Sequence, residues 1–277
     1  MGKVLFISDL DGTLLNKNAQ ITPFTAKIIN NLIDEGMIFT YATARGFATS
    51  SKVACEINFK YPAVQHNGVF IQNPKTGEYI DKCLLDKNKI TECIKICENN
   101  SIYPFVFSFI DDTERSSWIQ GKESDGMLSY IGSRKNDKRF RPVKNYDEFL
   151  DGIVYEMTFM ESSEKKIFEI ADILNLDPYF SCHIFGDPLL KTYFLEIMRS
   201  DATKDFGVKK VKELVGADKI ICFGDNINDL PMFNVSDEKY AVANAIDEIK
   251  KIATGIIGSH DDDGVARWLE KNYYNYI

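Results

Sequence analysis

Histidine, basic charge and long apolar runs are all scarce in this chain of 277 residues. The three histidines, His66, His183 and His260, are too few and too dispersed to indicate a metal cluster. The 41 acidic residues outnumber the 33 basic ones, so the net charge of −8 leaves no basic footprint for nucleic acid. No apolar run reaches the ~18 residues that a membrane-spanning helix needs. We therefore expect neither nucleic acid nor a membrane as a partner.

Cysteine is present, but without a metal-binding or disulfide pattern. The six cysteines contain no Cys-x-x-Cys pair, and Cys93 and Cys97 lie four residues apart on a predicted helix. We interpret them as small buried apolar residues, with a disulfide or a zinc site as the alternative. The N-terminal segment reaches an aspartate too early for a secretory signal, which predicts a cytoplasmic protein.

The composition and the order of the patterns predict the fold class. Hydrophobic residues make up 44% of the sequence and charged residues 27%, as in an ordinary globular protein. Strand and helix patterns alternate at both ends of the chain, whereas the middle is aromatic and rich in loops. This order predicts an α/β protein with a doubly wound, Rossmann-like parallel-sheet core formed by residues 1–83 and 189–277. An α+β cap domain at 84–188 is predicted to be inserted into it.

A short apolar run near the start of the chain ends in two aspartates. Residues 4–9 are typical of a buried parallel strand, which ends at Asp9 and leads to Asp11 and Gly12. Alternation puts both carboxylates on one side of the carboxyl end of this strand, where open α/β sheets bind ligands. Two like charges so close need a cation or a proton between them. The alternatives are an ordinary strand end with an Asp-Gly turn, or a carboxylate nucleophile with a divalent metal.

Three further signals follow predicted strands or begin a helix. Thr43 directly follows the second strand, Lys204 begins a helix, and Asp225 follows the strand at 219–223. Each has a commonplace interpretation, namely a helix cap, a solvated lysine and a turn. Taken with Asp9, they supply a nucleophile, a metal ligand, a hydrogen-bond donor and a cation, which phosphoryl transfer requires.

In this combination the chain resembles the haloacid dehalogenase-like hydrolase superfamily, in particular the Cof-type phosphatases with a large type IIB cap. The resemblance covers nearly the whole chain and implies a Mg²⁺-dependent phosphomonoester hydrolase. Its substrates would be small phosphorylated metabolites, with sugar phosphates foremost, and the protein would be a monomer or a homodimer. The motifs that carry it are Asp9-x-Asp11-Gly12-Thr13, Asn67-Gly68, Gly224-Asp225-x-x-Asn228-Asp229, Val242-Ala243-Asn244-Ala245 and Asp263-Gly264-Val265-Ala266.

The resemblance implies a catalytic role for four residues. Asp9 would attack phosphorus and carry an aspartyl-phosphate. Asp11 would protonate the leaving alcohol and then take a proton from the hydrolytic water. Thr43 would bond a phosphoryl oxygen, and Lys204 would neutralise the nucleophile and the phosphoryl charge.

The resemblance also implies a metal site and its surroundings. Asp225 would bind Mg²⁺ together with the Asp9 carboxylate and the backbone carbonyl of Asp11. Asp229 would hold the metal waters or orient the lysine, and Asn228 would lie beside the phosphate.

Two positions depart from the family pattern. Ala44 stands where glycine is common, which fits only if the backbone φ there is negative. The residues before Lys204 are unusually polar, so Lys209 or Lys210 is an alternative, one or two turns further along the helix. Arg45 would either touch the substrate or form a salt bridge at the start of a helix.

The cap should supply contacts to the leaving group. Arg115, Trp118 and His183 are the candidates, and a place in the cap core or on its surface is the alternative for each. Two further functions stay open. One is a phosphomutase of the same superfamily, and the other is a catalytically silent regulator that binds a phosphorylated metabolite. The intact Asp9 and Lys204 argue against the silent regulator, because a binding protein gains nothing from a nucleophile.

Overall fold

The computed structural model describes residues 2–111 and 113–277. Its strands are β1 Val4–Ser8, β2 Ile38–Tyr41, β3 Ala63–Gln65, β4 Phe70–Gln72, β5 Tyr79–Lys82, β6 Phe105–Ile110, β7 Thr113–Ile119, β8 Phe140–Val143, β9 Ile153–Glu161, β10 Phe180–Asp187, β11 Thr192–Arg199, β12 Lys219–Gly224, β13 Glu238–Val242 and β14 Gly255–Ile257. Its helices are α1 Pro23–Asp34, α2 Phe47–Val53, α3 Lys87–Asn99, α4 Asp125–Ser133, α5 Glu164–Leu174, α6 Lys204–Val215, α7 Leu230–Val235, α8 Asp247–Ile252 and α9 Gly264–Asn272.

The chain divides into two compact units. The first unit runs to Lys82 and resumes at Ala202, and the second unit is Cys83–Asp201. The sequence placed the return to the first unit at residue 189. In the structure the return comes later, because β11 pairs antiparallel with both β9 and β10 and so belongs to the second unit.

The first unit contains a parallel five-stranded sheet in the order β14-β13-β12-β1-β2. β1 and β12 are continuous apolar runs buried on both faces, as parallel strands covered by helices must be. From β1 the chain steps to β2 on one side and later to β12, β13 and β14 on the other. The strand order therefore reverses beside β1, which confirms the doubly wound fold and marks the position where such sheets bind ligands.

A second, three-stranded antiparallel sheet in the first unit has the order β3-β4-β5. It meets the parallel sheet through one bridge, between Ala42 and Val64. The turn after β3 is the short segment His66–Gly68, in which all three residues have a positive φ. Glycine and asparagine tolerate this left-handed conformation, whereas histidine adopts it at a conformational cost.

The second unit is built on a six-stranded sheet in the order β10-β11-β9-β6-β7-β8. All of its pairs are antiparallel except β7–β8. α3 and α5 pack on one face around an apolar cluster that includes Met157 and Leu195. This arrangement agrees with the α+β character expected for the middle of the chain.

Two further expectations from the sequence concern membrane-spanning helices and the state of the cysteines. Among the helices of the described residues, none has the length and apolar character that crossing a membrane requires. All six cysteines are free. Four of them are buried, as expected, whereas Cys55 and Cys182 are exposed.

Candidate active site

A buried lysine bridges two aspartates at the carboxyl end of the central strand. Lys204, the first residue of α6, is 1% exposed, and its Nζ lies 2.6 Å from Asp9 Oδ1 and 2.6 Å from Asp229 Oδ1. Asp9 follows β1, and its backbone N–H donates to the carbonyl of Phe223 on β12. The parallel register of β1 and β12 therefore delivers Asp9 and the segment of Asp229 side by side.

The environment of Asp9 opposes its charge, and Lys204 compensates only in part. Burial raises the pKa of Asp9 to about 8, with the carboxylates of Asp229 and Asp225 adding to the rise and Lys204 acting against it. Burial alone would lower the pKa of Lys204, but Asp229 and Asp9 reverse this and hold it above the ordinary value. Lys204 is therefore a permanent cation, and the carboxylates around it carry excess negative charge.

Asp225 lies directly against the turn that follows Asp9. The Thr13 hydroxyl donates to Asp225 Oδ1 at 3.0 Å. Gly12 has a φ of +75°, and a Cβ there would lie 2.5 Å from Asp225 Oδ2, so only glycine fits. Burial and then Asp229 raise the pKa of Asp225 to about 6. The close approach of Gly12 thus brings the two aspartate-bearing segments into contact.

The donor set fits a small divalent cation. One carboxylate oxygen from each of Asp9, Asp225 and Asp229 lies within 4.8 Å of the others. Three carboxylates around one lysine leave net negative charge, and carboxylate oxygens are the ligands that Mg²⁺ prefers. Asp229 is already engaged, because Lys204 occupies one of its oxygens and the backbone N–H groups of Asp225 and Asn226 occupy the other. Asp9 and Asp225 are therefore the side chains best placed to hold a metal.

Asp11 is held apart from this cluster by Arg45. The Arg45 guanidinium donates to both oxygens of Asp11, with Nε at 2.7 Å and Nη2 at 2.6 Å. Both oxygens of Asp11 are acceptors in this pair, so any proton donation by Asp11 requires the pair to open. Of the two sequence interpretations of Arg45, the structure shows a salt bridge, and it joins Asp11.

Thr43 is connected to the site through the Asn67-Gly68 turn, a family motif to which the sequence assigned no role in the site. Thr43 is buried at the end of β2, and its carbonyl accepts the backbone N–H of Asn67 at 3.0 Å. Asn67 Oδ1 accepts from Asn228 Nδ2 at 3.4 Å. The next residue, Gly68, approaches the Thr203 backbone so closely that a Cβ would lie 2.1 Å from its carbonyl oxygen. The Asn67-Gly68 pair thus joins Thr43 to the start of α6.

Thr13 and Asn67 were quoted as parts of family motifs, but the sequence assigned neither of them a role in the site. A threonine after Asp-Gly looks like ordinary turn chemistry, and Asn-Gly is the strongest short hairpin signal. In both cases the available signal was the position of the residue after a strand that ends at the ligand-binding edge of the sheet.

The structure also bears on the two departures from the family pattern. Ala44 does not have a positive φ, so the condition for alanine at this position is met. Lys209 pairs with Asp205 at 2.9 Å on the surface of α6. Lys210 faces Asp81 and Glu213 at 3.9 and 3.5 Å. Lys204 is thus the lysine that contacts Asp9.

Two of the three cap candidates, Arg115 and Trp118, lie on β7 of the second unit, and the third, His183, lies on β10. Trp118 is buried, stacks on Phe105 at a centroid distance of 5.4 Å and donates its indole N–H to Glu123 at 2.8 Å. Arg115 donates to the Lys138 carbonyl at 3.4 Å on β7. His183 is exposed on the edge strand β10. The ring of Trp118 also packs against Phe140, within the second unit.

Comparison with known proteins identifies the family. The model of the haloacid dehalogenase-like hydrolases matches residues 6–269, and the chain belongs to this family. A 5-amino-6-(5-phospho-D-ribitylamino)uracil phosphatase of Bacillus subtilis, YitU, is 26% identical over 98% of this chain and 97% of its own length. A second B. subtilis phosphatase with the same stated substrate, YwtE, is 26% identical over 95% and 96%.

Solved structures show the same fold. The crystal structure of TM0651 from Thermotoga maritima superposes with a TM-score of 0.78 and 24% identity over 98% of this chain and 97% of that one. The family and its named relatives support a phosphatase enzyme.

Proposed function

We propose that the protein is a Mg²⁺-dependent phosphomonoester hydrolase that works through an aspartyl-phosphate on Asp9. The observation that carries the proposal is the state of the Asp9 carboxylate. Lys204 holds Oδ1 at 2.6 Å, while Oδ2 has no hydrogen-bond partner among the described residues. A buried carboxylate with one oxygen fixed and one oxygen available has the geometry that a nucleophile needs.

The proposed reaction has two steps. An Asp9 oxygen forms a bond to phosphorus while the bond from phosphorus to the leaving oxygen breaks, and Asp11 gives that oxygen a proton. Water then forms a bond to phosphorus and loses a proton to Asp11, and the bond from Asp9 to phosphorus breaks. Asp11 must leave Arg45 to serve in either step, because Arg45 donates to both of its oxygens.

The remaining residues position charge around this reaction. Lys204 offsets the negative charge of Asp9 and of the phosphoryl group, and Asp229 orients the ammonium group from the other side. Thr43, whose hydroxyl accepts the backbone N–H of Arg45, and Asn228 are the proposed donors to phosphoryl oxygens.

Asp9, Asp225 and the backbone carbonyl of Asp11 would hold the Mg²⁺ ion, which supplies Lewis-acid charge for the phosphoryl oxygens when bound. The charge of the site supports this assignment. Both aspartates have a raised pKa, chiefly because they are buried, and the neighbouring carboxylate of Asp229 adds to the rise.

We propose that the second unit, Cys83–Asp201, is the cap and selects the leaving group. The two B. subtilis relatives are named for a substrate whose phosphate esterifies a ribityl chain. A phosphate ester on a polyhydroxylated carbon chain is therefore the substrate class that we propose, and it includes sugar phosphates. Arg115, Trp118 and His183 keep their proposed roles in leaving-group contact. The cytoplasmic location and the monomeric or homodimeric state also remain expectations from the sequence.

The test is phosphate release from a panel of phosphorylated sugars, sugar alcohols and 5-amino-6-(5-phospho-D-ribitylamino)uracil, with Mg²⁺ and with chelator. We expect release that needs Mg²⁺ and that falls by about 10³-fold or more in Asp9→Asn, because an amide is a poor nucleophile. Lys209→Met, on the surface of α6, is the matched control and should keep full activity.

Unchanged activity in Asp9→Asn would contradict the proposal. Conversion between phosphate isomers without net phosphate release would favour a phosphomutase. Tight binding of a panel member without turnover would favour a regulator.

A further inference from the structure

One turn of the first unit is hydrogen-bonded to both carboxylate-bearing segments of the candidate site. It follows β13 and contains the Val-Ala-Asn-Ala motif, to which the proposed chemistry assigns no role. The Asn244 side chain donates through Nδ2 to the Gly12 carbonyl at 2.7 Å. Two residues later, the Ile246 backbone N–H donates to the Asp225 carbonyl at 2.9 Å. We propose that Asn244 is a positioning residue that fixes the Asp11-Gly12-Thr13 turn against Asp225.

The carboxamide of Asn244 can adopt only one orientation. Its Oδ1 accepts the backbone N–H of His260 at 3.0 Å and faces the Ser259 hydroxyl at 3.4 Å. A backbone N–H can only donate, so Oδ1 must face His260 and Nδ2 must face Gly12. The Gly12 carbonyl is thus tied, through Asn244, to the segment that leads into α9.

The position of Gly12 matters because the backbone of Gly12 cannot move closer to the Asp225 carboxylate. The space between them is too small for a Cβ, and the neighbouring Thr13 hydroxyl bonds the Asp225 carboxylate. A displacement of the Gly12 carbonyl therefore moves Thr13 and changes the separation of Asp11 from Asp225. Such a shift should affect the chemical step and metal binding more than the binding of substrate, since misplacement of about 1 Å costs about 10²-fold in an enzyme reaction.

Asn244 is exposed, which makes the role testable. An exposed hydrogen bond contributes little to global stability, so variants at this position should fold normally. This inference rests on the proposed function, because its readouts are the kinetics and metal dependence of phosphate release.

Two variants separate the hydrogen bond from charge. Asn244→Leu is similar in size and removes the hydrogen bonds to Gly12, His260 and Ser259 without adding charge. Asn244→Asp keeps the acceptor for His260 and replaces only the donor to Gly12. We expect both to lower kcat by about tenfold and to raise the half-saturating Mg²⁺ concentration several-fold, with KM changed less than about twofold. Asn234→Asp makes the same chemical change at an exposed site on α7 and should match the wild type.

The melting temperature of each variant without metal provides the readout for folding. An active wild type together with an unaffected Asn244→Leu would overturn this inference alone. The inference also fails if Asn244→Asp is impaired and Asn244→Leu is not, because charge rather than the hydrogen bond would then be responsible. An inactive wild type would overturn the proposed function, and this inference with it.

Discussion

The two units bury ionisable groups in different ways. In the first unit Lys204, Asp9 and Asp229 are all buried, and they meet in one network of 2.6 Å contacts. In the second unit Glu156 is 6% exposed and receives a hydrogen bond from Thr158 on its own strand. Burial raises the pKa of Glu156 to about 7. In both units burial raises the pKa of the carboxyl group, but the group that opposes the rise is the lysine Lys204 for Asp9 and the hydroxyl of Thr158 for Glu156.

This difference indicates where chemistry can take place. A carboxylate that attacks phosphorus must be ionised, and a cation beside it, such as Lys204 or a bound metal, favours that form. Where no cation opposes the effect of burial, a carboxyl group favours its neutral form, which does not attack phosphorus. The aromatic packing of the second unit, in which Trp118 stacks on Phe105, is typical of an apolar surface or core rather than of a catalytic centre.

The largest expected effect is in the first unit. Lys204→Met leaves Asp9 and Asp229 buried beside each other without a cation, so we expect the free energy of unfolding to fall by about 3–5 kcal/mol. Phosphate release should fall by about 10³-fold, because the ammonium group that contacts Asp9 Oδ1 is lost. Chemical denaturation and steady-state kinetics measure the two effects. Lys209→Met should change the free energy of unfolding by less than about 0.5 kcal/mol, and an equal loss in that control would break the comparison.

In the second unit, the expected effect is on how the free energy of unfolding depends on pH. The folded-state pKa of Glu156 is raised from 4.5 to about 7, so its stabilising contribution is complete below pH 4.5 and is lost as the pH rises through 7. Glu156→Gln removes the contribution of Glu156 to this dependence, whereas its neighbour Glu196, whose pKa burial also raises, keeps its own. We expect the wild type to lose about 2 kcal/mol relative to the variant between pH 4.5 and pH 7.5. Parallel curves of unfolding free energy against pH would show that Glu156 is ionised when buried.

A smaller effect on the stability of the metal-free protein distinguishes Asp225 from Asp229, the two aspartates that follow β12. The folded-state pKa of Asp225 is raised from 3.8 to about 6, so above pH 6 its charge destabilises the metal-free protein. Asp225→Asn should therefore raise the unfolding free energy without metal at pH 7.5, by on the order of 1 kcal/mol after solvent screening. Asp229→Asn should lower it, because Asp229 holds Lys204.

Excess Mg²⁺ should reverse the order of wild type and Asp225→Asn, since a ligand stabilises only the protein that binds it. Thermal unfolding with Mg²⁺ and with chelator measures this. If Asp225→Asn gains as much from Mg²⁺ as the wild type does, Asp225 does not bind the metal.

The sequence predicted more of the first unit than of the second. Asp9, Lys204 and Asp225 stand at a strand end or a helix start, and the parallel register brings such positions together at one edge of the sheet. The pairing of Asp11 with Arg45 was not predicted, because it depends on how two loops turn after their strands. Arg45 was recognised as one member of a salt bridge, but its partner was not.

In the second unit the residues that lie together are set by strand pairing over long distances in the chain. Because β11 pairs with β9, it belongs to the second unit. This unit therefore ends at Asp201 rather than at residue 188, where the sequence predicted its end. Trp118 was considered a substrate contact because its neighbours in sequence are polar. Its neighbours in space are Phe105 and Phe140, and the sequence pattern does not show them.

The central claim is that Asp9 is the nucleophile. The most direct measurement is a rapid-quench first turnover with ³²P-labelled substrate, followed by borohydride reduction and peptide mass spectrometry. Reduction converts an aspartyl-phosphate to homoserine, so the account predicts transient labelled protein and homoserine at position 9, with neither in Asp9→Asn. Full phosphate release in the first turnover with no labelled protein, or with the label on another residue, would contradict it.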